Sequence, residues 1–162
     1  MCGHNVRRHP EIACQVHAAG HEIGNHTDSH PYLHFKPADF IFRELALAQQ
    51  SIQSAVGVTP VWFRAPYGVR WFGLREAQRR LNLKGVMWTV LPRDWRWPAG
   101  RVARCILDRV SNGAIVCLHD GRMLESAPDI RSTIEGVEYV LPRLKERGFE
   151  FVTLSEILCP TN

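Results

Sequence analysis

The feature that most constrains the fold is a regular alternation of helix-like and strand-like segments. Apolar residues recur at the spacing of one helical face over residues 38–56, and Gly57 follows as a stop signal. Further helices are predicted over 7–19, 73–83, 99–111 and 130–147, and short apolar strands over 21–24, 61–64, 85–91, 114–119 and 149–154. This alternation indicates parallel strands wrapped by helices, which is an α/β fold.

The length and composition of the chain narrow the class of protein. A chain of 162 residues suits one domain spanning 1–162, and 45% apolar with 22% charged residues is ordinary for a globular protein. The net charge of +4 comes from scattered Lys and Arg, and no nucleic-acid signature stands out. Five cysteines without a C-x-x-C pair indicate neither a disulfide framework nor a zinc–cysteine site.

The sequence does not predict a localisation for the protein. No apolar run reaches about 18 residues, so no membrane span is expected. The first ten residues, MCGHNVRRHP, lack the charged-then-apolar pattern of a signal peptide. The localisation therefore stays open.

Polar and aromatic groups follow four of the predicted strands. NHTDSH follows HEIG, RAPYG follows VWF, RDW follows MWTVL, and HDG follows AIVCL. In α/β folds, chemistry collects at the carboxyl ends of strands. The recurrence predicts a functional site built from these four segments.

The first of these segments contains two histidines four residues apart, His26 and His30. On one helical turn both imidazoles would face the same side and reach one metal ion, although two surface histidines would give the same pattern. Asp28 would point away from that face, which makes it a poor third ligand. In the next segment, Arg64 is either a solvated charge or a bidentate partner for a carboxylate.

The last two segments are ambiguous when each is taken alone. Trp95 is either a core residue or an exposed ring beside Asp94 that stacks on a sugar. His119, at the end of a buried strand, is either a satisfied core group or a functional one. Taken together and in this order, the four segments favour a functional site over four unrelated structural features.

These four segments resemble the motifs of the polysaccharide deacetylases, the fourth family of carbohydrate esterases. GNHTDSH is similar to the family's H-[ST]-x-x-H motif, FRAPYG to R-x-P-Y, RDW to the end of the fourth motif and IVCLHDG to L-H-D. GFEFVTLSEIL resembles the closing strand and helix. The resemblance covers nearly the whole chain and implies a distorted (β/α) barrel.

The resemblance also implies a metal-assisted hydrolysis. One divalent metal would polarise the acetyl carbonyl and acidify a bound water. Zinc is the first expectation, with cobalt or another transition metal as alternatives. His26 and His30 match the family's metal-ligating histidines. The implied substrate is a polysaccharide or oligosaccharide with acetylated sugars, such as chitin oligomers or peptidoglycan.

Three residues match the family's catalytic positions. By resemblance, His119 is the general acid that protonates the leaving amine, and Asp94 pairs with it and keeps it suitably basic. Arg64 orients the catalytic carboxylate.

Four further residues match substrate-binding positions: Pro66, Tyr67, Trp95 and Leu118. The backbone N–H of Tyr67 would help to hold the oxyanion of the reaction intermediate. Trp95 and Leu118 would line the acetyl pocket.

The family's first motif, T-F-D-D-G, has no counterpart in this sequence. That motif supplies the catalytic base and the third metal ligand, so a third protein ligand is expected to be absent. Met1-Cys2-Gly3 stands where the family's second strand should be ending. We therefore expect an incomplete barrel without the first strand, the first helix and most of the second strand. Leu91 also departs from the acidic residue that many members carry three positions before Asp94.

Three functions are consistent with the sequence. The first is a metal-dependent deacetylase of N-acetyl or O-acetyl groups, shortened at its N-terminus. The second is a catalytically inactive carbohydrate-binding remnant. The third is a related amidase that cleaves C–N bonds of a non-sugar substrate.

Overall fold

A computed structural model describes residues 1–121, 124–125 and 127–158 of the chain. The described residues are a mixture of helices and short strands that cluster into two compact units. The first unit spans Met1–Met87, and the second begins at Trp88.

The first unit contains four α-helices, one 3₁₀ turn and two strands. In chain order these are α1 (Gly3–Arg8), α2 (Pro10–Ala18), α3 (Ala38–Val56), β1 (Trp62–Phe63), the 3₁₀ turn Pro66–Gly68, α4 (Leu74–Arg80) and β2 (Lys84–Gly85). The single helix predicted over 7–19 is therefore wrong. It is divided at His9, whose φ of −137° and ψ of 58° are not helical. Pro10 explains the division, because its ring disfavours helical backbone in the preceding residue.

The helix α3 organises the first unit, and its bounds confirm the prediction over 38–56. It contacts α1, α2 and α4. Gly57 ends it with a left-handed φ of 78° and donates its N–H to the carbonyl of Gln53. The two apolar clusters of this unit both include α3: Ile41 and Leu45 belong to one, and Ile52 belongs to the other.

The extended segments of the first unit pair in parallel. Trp62 pairs with Lys84 and Phe63 with Gly85, while Asn25 forms an isolated bridge to Phe63 on the other side of β1. Asn25, which directly follows HEIG, thus lies beside β1, and β2 lies on the other side of β1. The residues that follow HEIG and β1 consequently leave the paired segments side by side.

The second unit packs two helices on one apolar cluster. Its helices are α5 (Ala99–Arg109), α6 (Arg131–Glu146) and α7 (Leu154–Leu158). The cluster consists of Val102, Ala103, Ile106, Val140 and Leu144, with Trp97 and Leu118 packed against it. Val90 and Val116 form a parallel bridge between the segments that precede Asp94 and His119.

The strands predicted over 85–91, 114–119 and 149–154 are mostly wrong as regular ladders. Over 85–91 and 114–119 only Gly85 lies in a strand, and the bridge of Val90 to Val116 accounts for the rest of the pairing. Residues 149–154 have no strand assignment, and Phe151 and Val152 are about half exposed. Apolar runs predict burial, whereas a ladder also needs a paired neighbour for each N–H and C=O.

Within the described residues, no helix combines the length and apolar character needed to cross a membrane.

A prediction for stability follows from Gly73. Its φ is 83°, and a Cβ there would lie 2.5 Å from the Cβ and 2.8 Å from the Cα of Ala38, the first residue of α3. We expect Gly73→Ala to lower the free energy of unfolding by about 2 to 4 kcal/mol, since it adds a clash to an unfavourable backbone. Denaturant titration measures the change.

The matched control is Gly148→Ala. Gly148 has the same φ of 83°, but nothing lies within 4 Å of its Cβ position. It should cost only the left-handed backbone term of about 1 kcal/mol. Equal costs at the two glycines would contradict the close packing of Gly73 on Ala38.

Candidate active site

The residues predicted from the sequence fall into two groups, one in each unit. The first unit holds His26, His30, Arg64, Pro66 and Tyr67, and the second holds Asp94, Trp95, Leu118 and His119. Within each group, the structure brings together residues that are distant in sequence.

The two histidines lie close together, although the prediction that they share a helical turn is wrong. Their ring centroids are 4.9 Å apart, with the planes at 71°. The loop between them is not helical, because Thr27 and His30 have positive φ values of 65° and 57°. The left-handed backbone at Thr27 and His30 still brings the two imidazole rings together, as a helical turn would have done.

The environment of His26 leaves one of its ring nitrogens with a free lone pair. Its Nδ1 lies 2.6 Å from the backbone carbonyl oxygen of Arg64, which can only accept a hydrogen bond. The proton of the neutral ring therefore sits on Nδ1, and Nε2 keeps a lone pair. A backbone carbonyl on the second nitrogen is the usual support of a metal-binding histidine.

Burial lowers the pKa of His26 to about 3. The hydrogen bond to the Arg64 carbonyl opposes this shift, while the positive charges of the amino terminus, His30 and Arg64 add to it. The imidazole is thus neutral at neutral pH, which is the form that binds a metal ion.

Asn25 fixes the start of the histidine loop. Its backbone N–H donates to the carbonyl of Trp62, and its carbonyl accepts from the N–H of Arg64. Its buried side-chain amide donates to the carbonyl of Leu45 at 2.9 Å and to the Oε1 of Gln49 at 2.8 Å. One residue thereby attaches the loop both to β1 and to α3.

Two carboxylates hold the middle of the loop. Glu44 of α3 accepts the backbone N–H groups of Asp28 and Ser29 at 3.1 and 2.8 Å, and also the hydroxyl of Ser29 at 2.8 Å. Asp28 makes a two-point ion pair with Arg7, at 2.5 and 2.9 Å. Asp28 is therefore engaged in holding the loop to α1.

The R-x-P-Y segment lies next to the histidines. Tyr67 has a φ of 57° inside the Pro66–Gly68 turn, and its ring centroid is 4.9 Å from that of His30. Pro66, the first residue of this turn, is fully buried. Arg64 directs its backbone carbonyl to His26 and its Nη2 to the carbonyl of Met87, at 3.4 Å.

The donor set can be tested against a metal ion on its chemistry alone. Two imidazoles, one of them supported on a carbonyl, fit two positions of a zinc or cobalt shell. Among the residues that the structure describes, no group of three or more His, Cys, Asp or Glu side chains could hold a metal. The residues thus fit as a pair of ligands that leaves the remaining positions to other donors.

The second group is built on a buried carboxylate. Asp94, with no side-chain exposure, accepts three hydrogen bonds: from the Nδ1 of His119 at 2.9 Å, from the backbone N–H of His119 at 2.7 Å and from the hydroxyl of Thr133 at 2.8 Å. The imidazole itself is 38% exposed. His119 therefore presents Nε2 as its second nitrogen, while Nδ1–H stays on the carboxylate.

Burial raises the pKa of Asp94, but the hydrogen bonds from the His119 imidazole, the His119 backbone and Thr133 together lower it below its ordinary range. The carboxylate is therefore ionised at neutral pH. The ionised carboxylate accepts the Nδ1–H of His119 and thereby fixes the orientation of the imidazole.

Trp95 and Leu118 flank this pair within the second unit. The ring of Trp95 is 40% exposed, and its centroid lies 4.7 Å from that of His119, edge to face. Leu118 is partly buried and packs against the apolar cluster of α5 and α6. Trp95 is thus a partly exposed ring beside the histidine and not a core residue.

Three residues that hold the site were not singled out by the sequence analysis: Asn25, Glu44 and Thr133. Asn25 lies directly before the histidine motif, and its polarity at a strand end was a usable signal. Glu44 is a charged residue on the apolar face of α3, which also pointed to a partner. Thr133 lies 39 residues from Asp94, and no local pattern connects the two.

The comparisons with known proteins begin with the family. A family model described as polysaccharide deacetylase matches residues 1–86. A chitooligosaccharide deacetylase of Bradyrhizobium sp. (strain ANU 289) is 35% identical over 97% of this chain and 75% of its own length. The chain belongs to the polysaccharide deacetylase family, a family of amide-hydrolysing enzymes.

Solved structures agree with this assignment. The Bc1960 peptidoglycan N-acetylglucosamine deacetylase matches 96% of this chain and 72% of its own, with 27% identity and a TM-score of 0.87. BA3943, a CE4 family pseudoenzyme from Bacillus anthracis, matches 97% of this chain at 25% identity and a TM-score of 0.86. The chain spans 53% of that structure and about three quarters of the chitooligosaccharide deacetylase.

A pH-dependent stability follows from Asp94. We expect Asp94→Asn to lower the free energy of unfolding by about 2 kcal/mol at pH 7, because an amide cannot accept all three donors. A carboxylate with a lowered folded pKa stabilises above its unfolded value of about 3.9 and loses that contribution as pH falls through the folded pKa. The difference between the two proteins should therefore shrink below about pH 4.

Urea titrations from pH 7 down to pH 3 measure this difference. Asp108→Asn, at an exposed position on α5, is the control and should change stability little at any of these values. A difference for Asp94→Asn that stays constant over the whole range would contradict the role given to the ionised carboxylate.

A second prediction concerns Glu44. Glu44→Ala should cost about 3 kcal/mol, since it leaves the N–H groups of Asp28 and Ser29 without their acceptor. Glu44→Gln should cost about 1 kcal/mol, because the amide oxygen still accepts the N–H groups and its NH₂ can donate to the Ser29 hydroxyl. Denaturant titration compares the two variants. Equal costs would contradict this account, and exposed Glu76→Ala serves as the control.

Proposed function

We propose that this chain is a metal-dependent hydrolase that removes N-acetyl groups from the sugars of a polysaccharide such as chitin oligomers or peptidoglycan. Family membership supports the reaction class. The substrate class comes from relatives named as chitooligosaccharide deacetylase and peptidoglycan-N-acetylglucosamine deacetylase. O-acetyl groups are a variant of the same chemistry.

One observation carries the metal-dependent part of the proposal: the hydrogen bond of His26 Nδ1 to the carbonyl of Arg64. It leaves Nε2 as the ligating atom on a ring that is neutral at neutral pH. His30, with its ring 4.9 Å away, is the second ligand. We propose zinc as the metal, because imidazole nitrogen suits zinc, and cobalt as a substitute of similar geometry.

A divalent cation bound by these histidines would polarise the acetyl carbonyl and acidify a water. The protein contributes the positions of the two imidazoles, which the hydrogen bonds of Asn25 and Glu44 maintain. No residue of this chain is assigned the role of the base that takes the proton of the water.

The proton that the leaving amine needs is assigned to His119. Its Nδ1–H is held by Asp94, so Nε2 is the atom that donates to the amine nitrogen as the C–N bond breaks. The hydrogen bond to the carboxylate fixes the orientation of the ring that donates this proton. Asp94 thus acts through His119 and has no direct contact with the substrate in this proposal.

The remaining roles concern the acetyl group and its oxyanion. We assign the backbone N–H of Tyr67 to the oxyanion, which the left-handed turn at Pro66–Gly68 supports by fixing the direction of that peptide. Trp95 and Leu118 are assigned to the wall of the acetyl pocket. By resemblance, the guanidinium of Arg64 would orient the carboxylate of the family's first motif, which has no counterpart in this sequence, while its backbone carbonyl supports His26.

We also propose that the fold is the distorted (β/α) barrel of this family. The parallel pairing of β1 and β2, the two parallel bridges and the TM-scores of 0.86 and 0.87 support it. Parallel strands linked through helices are the units from which such barrels are built.

The test is acetate release from N-acetylglucosamine oligomers with added zinc or cobalt. We expect release that chelator abolishes. His26→Ala and His30→Ala should each weaken zinc binding by at least about tenfold, measured by calorimetry, because each removes one of two protein ligands. His119→Ala should keep the zinc affinity and lose acetate release by about 100-fold or more.

His21→Ala is the matched control, since His21 is an exposed histidine that lies before the motif. It should change neither zinc binding nor acetate release. Zinc affinity that is unchanged in His26→Ala would contradict the ligand assignment. Failure of metal-loaded protein to release acetate, with sugar binding that chelator does not affect, would favour the inactive carbohydrate-binding function.

A further inference from the structure

A group of aromatic side chains extends from the histidine pair across the surface of the first unit. We name this group the aromatic platform: Tyr32, His34, Phe35, Trp71 and Phe72. It comes from two segments, one directly after the histidine loop and the other directly after the Pro66–Gly68 turn.

The rings of the platform contact one another in series. The centroid of His34 lies 6.0 Å from Tyr32, 3.9 Å from Phe35 and 4.2 Å from Trp71. Trp71 lies 4.9 Å from Phe35 and 5.0 Å from Phe72. Most of these pairs are edge to face, an arrangement that favours fixed ring positions.

The platform is continuous with the proposed metal ligands. Tyr32 lies 5.7 Å from the ring of Tyr67, and Tyr67 lies 4.9 Å from the ring of His30. A ligand that extends from the histidines along this surface therefore passes from one ring to the next.

The outer rings of the platform are exposed, although their base is anchored in the core. Phe35 is 77% exposed and Phe72 is 80% exposed, the two highest values among the large apolar residues of the described chain. Trp71 packs against the cluster that contains the fully buried Leu33. Gly73 fits against Ala38 and so brings the two platform segments together.

The backbone at Phe35 adds a second observation. Its φ is 60°, which is a rare value for a bulky residue and costs free energy. The unfavourable backbone holds the ring of Phe35 in water, where the ring gains no core packing. Residues in such conformations cluster at binding and catalytic sites.

We propose that the aromatic platform is an extended sugar-binding subsite that stacks pyranose rings of the substrate chain beyond the acetylated residue. This inference rests on the proposed function for the class of substrate. The flat faces of β-linked sugars carry C–H groups that pack on aromatic rings, while their hydroxyls bond to groups at the ring edges. Tyr32 and His34 provide such edge groups.

The position of the surface favours a sugar as its occupant. A contiguous exposed apolar surface on a globular chain marks a binding site of some kind, and the continuity with His30 places this one along the path of the substrate.

The test compares long and short oligosaccharides by calorimetry in the presence of chelator, with the pentamer and dimer of N-acetylglucosamine. Phe35→Ala and Phe72→Ala should each weaken pentamer binding about threefold to tenfold, the loss of one aromatic contact. The double variant should bring the affinity for the pentamer close to that for the dimer. Phe72→Tyr should retain pentamer binding, because it keeps the ring.

Phe151→Ala is the matched control, because Phe151 is 51% exposed and belongs to the other unit. It should not change the affinity for the pentamer. Equal pentamer affinity in the parent and the double variant would overturn the proposal, and so would a change confined to the sedimentation coefficient, which would indicate a contact between copies.

The two proposals fail separately. A parent protein that releases acetate, with a length dependence that the double variant leaves intact, would overturn the subsite and keep the proposed function. Loss of pentamer binding in the double variant, together with no acetate release under any metal, would support the subsite and contradict the deacetylase.

Discussion

The structure of the first unit depends on the hydrogen bonds of one buried side chain, that of Asn25. Its amide bonds to α3, while its backbone completes the pairing with β1. Helix, strand and histidine loop are therefore attached at a single residue. A buried amide is stable only when its donors and acceptors are all used, so the position of His26 is fixed by the packing of the unit.

The two histidines His26 and His119 lie in different environments, which are set by the groups beside them. His26 faces a carbonyl, which carries no charge, and burial keeps its ring neutral. His119 faces a carboxylate that three hydrogen bonds keep ionised, in a half-exposed position. The first environment suits a ligand that shares a lone pair, and the second suits a group that exchanges a proton. The neighbours of each histidine thus support the different roles that we propose for the two side chains.

The sequence predicted the helices well because their signals are local. The 3.6-residue period and Gly57 define α3 without reference to the rest of the chain, and the helices over 99–111 and 130–147 were found within two residues at each end. The strands were predicted poorly, because a ladder depends on a partner elsewhere in the chain. The helix over 7–19 was divided by Pro10, whose effect on the preceding residue the apolar pattern did not include.

The site residues divide in the same way: those with a local signal could be predicted, and those without one could not. His26, His30, Asp94 and His119 could be chosen from short motifs, and the structure places each pair in contact. The residues that support them, Glu44 and Thr133, could not be chosen, because they lie far away in sequence. The platform rings were also missed, because their importance comes from mutual contacts and exposure, which no spacing records.

The histidine loop has one more property that follows from its supports. Three sets of hydrogen bonds hold the loop, and they are made by Glu44, by Asp28 with Arg7, and by Asn25. None of these residues is a proposed metal ligand. Most of the conformational entropy of the loop is therefore lost during folding, before any ion arrives. A cation that binds there has little ordering left to impose, so its affinity reflects the number and chemistry of the donors that meet it and not the cost of assembling them.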